Sequence, residues 1–161
     1  TKGLGYSWWT MQPGVRSFTA TEYEGFDTSS SLVLEAWKTD PPFDLILGHS
    51  QGAIMISALL ALGKAPYHPS KGYILNGVAM PNPYLSELEG LTIAEEEGIP
   101  RVLFLMGVND RINPNETGEQ LRGAFENAGM SVDTVLHPGG HGVPQDNKDD
   151  TITKIVRWIT Q

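Results

Sequence analysis

Residues 43–53 read Phe43-Asp44-Leu45-Ile46-Leu47-Gly48-His49-Ser50-Gln51-Gly52-Ala53, and this stretch decides the fold class. An apolar run launched after Pro41-Pro42 reads as a strand over 43–48. From Ser50 to about Leu62 the chain is apolar almost all round, which predicts a buried helix stopping at Gly63. Between the two lies Gly48-His49-Ser50-Gln51-Gly52. It fits G-x-S-x-G in the strand–turn–helix setting that a nucleophile elbow requires. Glycines on both flanks are expected to make room where a side chain would collide with the neighbouring strand or helix. The serine would then project above the sheet, with the helix N-terminus favouring negative charge developing beside it. The main-chain N–H of Gln51 is the candidate oxyanion donor.

Working outward, apolar runs at 72–77, 101–107 and 131–136 read as three more strands. Helices are expected over Thr28 to Lys38 and from a Thr117/Gln120 capping box to about Ala128. A last helix is expected from about Asp149 to Thr160, with Ile152, Ile155, Val156 and Ile159 on one face. Strands alternating with helices predict a single α/β domain over 1–161, a mainly parallel sheet flanked by helices. Ligands of such sheets sit beyond the carboxyl ends of the strands. The polar residues of interest therefore fall at 48–52, 76–77, 107–114 and 137–144.

A serine nucleophile needs a base, and the base an orienting acid; after an elbow the acid comes first in the chain. Asp110 follows the third strand in Gly107-Val108-Asn109-Asp110, where a triad acid belongs. Asp44 precedes the elbow, Asp133 is inside a strand and Asp146 follows the histidine. His141 lies after the fourth strand in His137-Pro138-Gly139-Gly140-His141-Gly142-Val143-Pro144, and its glycines allow a tight loop that carries the imidazole over Ser50. Of the four histidines, His137 is the alternative base, His68 lies in a Pro-rich loop, and His49 is expected to point elsewhere. A zinc site from His137 and His141 is disfavoured, because their spacing across Pro-Gly-Gly is not helical and no third ligand is evident. No metal or cofactor is expected.

Trp8 and Trp9, with Tyr6, Met11 and Phe18, have two readings: the lining of an acyl or aromatic pocket, or the packing of an irregular segment, the commoner use of such residues. Asn76 and Val143, at two strand ends, are further pocket candidates. The stretch 79–99, with the acidic run Glu95-Glu96-Glu97, is either part of the pocket's cover or a solvated loop and helix.

Composition narrows the classes of partner. The 161 residues are 40% hydrophobic and 19% charged, with a net charge of −8. That acidity argues against nucleic acid and anionic membrane surfaces, and suits a neutral or cationic small molecule. The absence of cysteine removes disulfides, thiolate metal sites and a cysteine nucleophile, and fits a cytoplasmic protein. No apolar run approaches the roughly 18 residues of a membrane span.

Three segments together, 43–53, Gly107 to Asp110 and His137 to Pro144, resemble the fungal and animal family of serine hydrolases related to the human ovarian-cancer-associated hydrolase, within the α/β-hydrolase superfamily. Gly25-Phe26-Asp27-Thr28-Ser29 is similar to the family's segment before its helix. A more distant similarity is to acyl-protein thioesterases and carboxylesterases. The resemblance covers about Trp8 to Ile159. It implies a carboxylic-ester or thioester hydrolase without a cofactor, with Ser50 as nucleophile, Asp110 as acid and His141 as base. The family opens with a strand ending in a His-Gly loop that supplies a second oxyanion N–H, and nothing in residues 1–40 resembles it. The expectation is therefore a C-terminal portion of an α/β-hydrolase lacking the N-terminal strands, with a separate N-terminal fragment as its partner. The rival expectation is a degenerate fragment acting as a non-catalytic binding module.

Overall fold

The structure is a computed structural model that describes residues 6–38, 41–94, 98–147 and 149–161. The acidic run at 95–97 lies outside the described residues. The elements follow in the order α1 (Phe26–Trp37), β1 (Leu45–His49), α2 (Gln51–Ala61), β2 (Gly72–Asn76), a 3₁₀ turn (Asn82–Tyr84), α3 (Leu85–Gly90), β3 (Arg101–Gly107), α4 (Asn115–Asn127), β4 (Ser131–His137) and α5 (Thr151–Thr160). The strands form one sheet in the order β1-β2-β3-β4, and every pairing is parallel. The parallel α/β architecture read from the sequence is the one observed.

Side chains alternate across the sheet, as a strand's two-residue period demands. Tyr73, Leu75, Val102, Phe104 and Met106 face one way, into a core completed by α1, α2, α4 and the N-terminal segment. Ile74, Leu103 and Leu105 face the other way, onto α5 through Trp158. Both faces are covered, so β2 is buried along its whole length and β3 everywhere but at Arg101. Arg101 and Asp133 fasten α5 in place. The Arg101 guanidinium lies 4.5 Å over the Trp158 ring and donates to its carbonyl (2.9 Å), while the Trp158 indole donates to Asp133 (2.8 Å).

Three local expectations differ from the structure. α1 begins at Phe26 rather than Thr28, because Gly25 at φ 86° turns the chain directly into the helix. α4 begins at Asn115 behind Pro114, and Thr117 donates to the Pro114 carbonyl (2.8 Å) instead of capping the helix. On α5 the face turned inward carries Ile155, Trp158 and Ile159, and Val156 is 51% exposed. The bulk of Trp158 and its bond to Asp133 rotate the helix away from the face that the aliphatic spacing alone would choose.

Among the described residues β1 is paired on one side only, which leaves an open sheet edge next to the elbow with Leu47 half exposed.

Candidate active site

β1 ends at His49, and Ser50 turns the chain into α2 with φ 54° and ψ −122°. A side-chain-bearing residue held there costs on the order of 1–3 kcal/mol, so the surroundings must impose the conformation. They do so from both sides. The Ser50 N–H donates to the Asn76 carbonyl on β2 (2.9 Å), and the Ser50 carbonyl accepts from Ala53 and Ile54 (3.0 and 3.1 Å) to start the helix. A Cβ on Gly48 would stand 2.6 Å from the Ala53 Cα, so this glycine is obligatory. Gly52 differs from expectation: a Cβ there would meet nothing nearer than the Trp8 indole nitrogen at 3.6 Å, an ordinary contact. Only one of the two elbow glycines is demanded by space. Gln51 is the first residue of α2, so its N–H has no acceptor within the helix.

The loops after β3 and β4 are zipped together beyond the sheet. Val108 N–H donates to the His137 carbonyl (2.9 Å), Asn109 N–H to the Gly139 carbonyl (3.0 Å), and the Asn109 amide to the Pro138 carbonyl (2.7 Å). This brings Asp110 against His141. One carboxylate oxygen of Asp110 accepts from the main-chain N–H groups of Ile112 (2.8 Å) and Asn113 (3.0 Å), and the other lies 2.8 Å from His141 Nδ1. The Asp110 side chain is 1% exposed and that of His141 19%. His141 Nε2 lies 2.8 Å from Ser50 Oγ. Ser50, His141 and Asp110 thus form one unbroken hydrogen-bonded line.

Two residues supporting that line had no sequence signal beyond their place at a strand end. Gly77, at φ 57°, underlies the His141 ring; a Cβ there would come within 3.0 Å of its Cε1 and Nδ1. Asn113 is buried and donates to the Gly77 carbonyl (2.7 Å), anchoring that turn. Gly77→Ala is therefore expected to push the imidazole off line. Misplacing a reacting group by about 1 Å costs roughly 10²-fold, which reaction rates with an active-site-directed fluorophosphonate would register.

The other histidines fall into distinct settings. His49 does not point away as expected. Its ring centroid is 5.0 Å from that of His141, and its Nδ1 is 2.7 Å from the Asn76 amide nitrogen. Desolvation first, then the neighbouring His141, hold its pKa below the ordinary histidine value, while the Asn76 main chain and Asp110 pull the other way. His68 bonds the Tyr73 hydroxyl (2.9 Å), remote from Ser50. His137, the alternative base, is buried and spends its Nδ1 on the Gly139 N–H (3.2 Å) within its own loop.

Burial also lowers the His137 pKa, partly offset by Asp149 and Asp110. Because the folded value lies below the unfolded one, about 6.5, the unfolded chain binds the extra proton first as pH falls. Stability contributed by neutral His137 is whole above about pH 6.5 and is lost as pH drops from there toward the folded value. Thermal melts from about pH 7.5 to about 5 are expected to fall more steeply for the wild type than for His137→Asn, which keeps an acceptor but does not titrate.

The two tryptophans have separate fates. Trp9 is 2% exposed and stacks on Tyr23 at 4.3 Å, inside the core with Phe26 beside it. It is packing, not pocket lining. Trp8 is 42% exposed and walls an apolar cavity of about 420 Å³ with Leu32, Val33, Phe43, Leu47 and Met55. The cavity runs along the open β1 edge and touches the elbow at Gly48, His49 and Gly52. Gln51 holds the segment in front of the elbow, its side chain accepting from the Trp8 N–H (3.0 Å) and donating to the Trp9 carbonyl (3.3 Å). Asn76 is 1% exposed and engaged with His49 and His141 rather than lining this cavity. Val143 lines a different cleft, with Pro144 and Asp149, and not this cavity. Among the described residues no group of three His, Asp or Glu side chains could hold a metal, and no helix is long and apolar enough to cross a membrane.

A family model described as serine hydrolase (FSH1) matches residues 2–152 of this chain. Esterase OVCA2 of Danio rerio is 33% identical over 152 residues, an overlap covering 85% of this chain and 60% of the relative. Esterase CG5412 of Drosophila melanogaster is 32% identical over 146 residues, covering 86% and 48% respectively. The chain therefore spans about half to three-fifths of the length of these relatives. Among solved structures, the crystal structure of esterase PE8 superposes with a TM-score of 0.66 at 22% identity, covering 96% of this chain and 71% of its own. The crystal structure of Arabidopsis thaliana SOBER1 gives 0.63 at 21% identity, covering 96% and 72%. At these identities the structures show a shared fold, that of the α/β-hydrolase esterases.

Proposed function

Because the chain belongs to the serine hydrolase (FSH1) family, we propose that it cleaves small-molecule carboxylic esters or thioesters through an acyl-enzyme on Ser50. The observation that carries this reading is the line Asp110–His141–Ser50, closed by two contacts of 2.8 Å at a serine held in strained backbone geometry. His141 Nε2 takes the Ser50 proton as Oγ attacks the carbonyl carbon. Asp110 stays ionised, keeps the other proton of the ring on Nδ1 and stabilises the imidazolium that forms. The tetrahedral oxyanion is met by the Gln51 N–H at the start of α2. The imidazolium then protonates the departing alcohol or thiol. In the second half His141 deprotonates a water, which attacks the acyl carbon, and Ser50 leaves with its proton restored. The scheme needs no cofactor or metal. A cytoplasmic setting belongs to the same proposal, supported by the cysteine-free sequence.

The test is covalent labelling with a fluorophosphonate and peptide mapping of the adduct, together with turnover of acetyl to octanoyl p-nitrophenyl esters and their thioester counterparts. An adduct on Ser50 and burst release of nitrophenol are expected. A Ser50 that stays unlabelled both alone and with an added N-terminal strand-and-loop fragment sinks the reading.

The open edge of β1 supports one refinement. A further strand laid along it would end beside the elbow and bring a second oxyanion N–H, as the family resemblance implies. Loss of one such donor costs roughly 10²–10³ in rate. Labelling by this chain alone is then slow, and rises by about that factor when an N-terminal strand-and-loop fragment is added. A Ser50 that fails to label with or without the fragment favours a non-catalytic binding module.

A further inference from the structure

Asn76 ends β2 as the register partner of His49 and is 1% exposed. Its main-chain carbonyl takes the Ser50 N–H (2.9 Å). Its side-chain nitrogen lies 2.7 Å from His49 Nδ1 and 3.3 Å from the His141 carbonyl oxygen. The amide oxygen, in contrast, is buried without a partner, the one side-chain oxygen in that state among the described residues. An unmet buried acceptor costs stability, so a fold keeps one where the rest of the group is needed.

The amide nitrogen has two hydrogens and no acceptor capacity, so it serves these contacts as a donor. One hydrogen goes to the His141 carbonyl. The other reaches His49 Nδ1 when that atom presents a lone pair, which is the neutral tautomer with its proton on Nε2. That ring lies 5.0 Å from His141, tilted by 48°. The charged or titratable neighbours of this pair are Asp110 and each other. A second imidazolium at that distance would oppose the charge His141 acquires when it takes the serine proton.

We propose that Asn76 is a positioning residue for the reaction: its main-chain carbonyl holds the serine's turn, and its side-chain amide joins the main chain of the histidine loop to a His49 held as its neutral Nε2–H tautomer against His141. This rests on the reading of His141 as the base. Asn76→Leu keeps the number and branching of the side-chain heavy atoms and removes both the two donors and the orphan oxygen. A residue that merely packed would be improved by that change. The expected result is a fluorophosphonate labelling rate lowered by about tenfold to a hundredfold, with a melting temperature equal to or above that of the wild type.

Imidazole ¹⁵N spectra of the wild-type chain give a second readout that does not depend on reactivity, with the His49 Nδ1 resonance expected in the unprotonated range. Labelling of Asn76→Leu within twofold of the wild type overturns the proposal. So does a fall in rate matched by collapse of the melting temperature, or a protonated His49 Nδ1. A wild-type chain that does not label on Ser50, alone or with the added fragment, overturns the hydrolase reading and this inference with it. A reactive wild type beside an equally reactive Asn76→Leu overturns the inference alone.

Discussion

Ser50→Ala is expected to lower kcat for p-nitrophenyl esters by about 10⁶ and to abolish fluorophosphonate labelling, because no other group can form the acyl intermediate at that point. The loss is not a folding effect. Alanine carries the same Cβ into φ 54°, ψ −122°, and Ser50 Oγ contributes no hydrogen bond to the fold beyond His141. Ser50→Gly separates the two roles of this position. It removes the nucleophile equally, but a glycine relaxes the backbone strain, worth on the order of 1 kcal/mol. The glycine variant should melt roughly 2–4 °C above the alanine variant in differential scanning calorimetry. Equal melting temperatures would show that the turn stores no strain, and a Ser50→Ala kcat within about tenfold of the wild type would remove Ser50 from the mechanism.

Asp110→Asn is expected to cost about 10⁴ in kcat with little change in fold. The reason lies in the unequal demands on the two oxygens. One accepts from the Ile112 and Asn113 N–H groups and must stay an acceptor; the other faces His141 Nδ1. An asparagine that keeps its oxygen on the two N–H groups turns its NH₂ toward the histidine. The ring can then only accept at Nδ1, and its single proton moves to Nε2, opposite Ser50 Oγ. A base protonated on the face it must work from cannot take the serine proton. The check is a pH–rate profile with a melting curve alongside. A variant that retains more than about a tenth of the wild-type rate would show that Asp110 does not control the tautomer.

Much of the architecture could be read along the chain because it is written in local patterns. β2 and β3 appear as uninterrupted apolar runs because both faces of a parallel strand are covered, and their ends are marked by Asn76-Gly77 and Gly107. The positions of Ser50, Asp110 and His141 after β1, β3 and β4 could be listed for the same reason, since loops at the carboxyl ends of parallel strands share one side of the sheet. Patterns of that kind failed where packing outweighed them. Aliphatic spacing on α5 missed the inward turn forced by Trp158 and its bond to Asp133. The paired tryptophans look equivalent in sequence, but Trp9 is drawn under Tyr23 and Trp8 is left at the cavity wall.

The sequence by itself determined the class of sheet, the strand–turn–helix setting of Ser50 and the order in which candidate acid and base follow it. Each of these depends on residues close together in the chain. The tertiary structure alone decided that Gly48 is sterically required while Gly52 is not, and that His49 lies against His141. It alone placed Asn76 between them. These facts depend on strand register, which pairs His49 with Asn76 and Gly107 with His137 across the sheet. Register is settled by the summed packing of both faces and leaves no mark on any single segment.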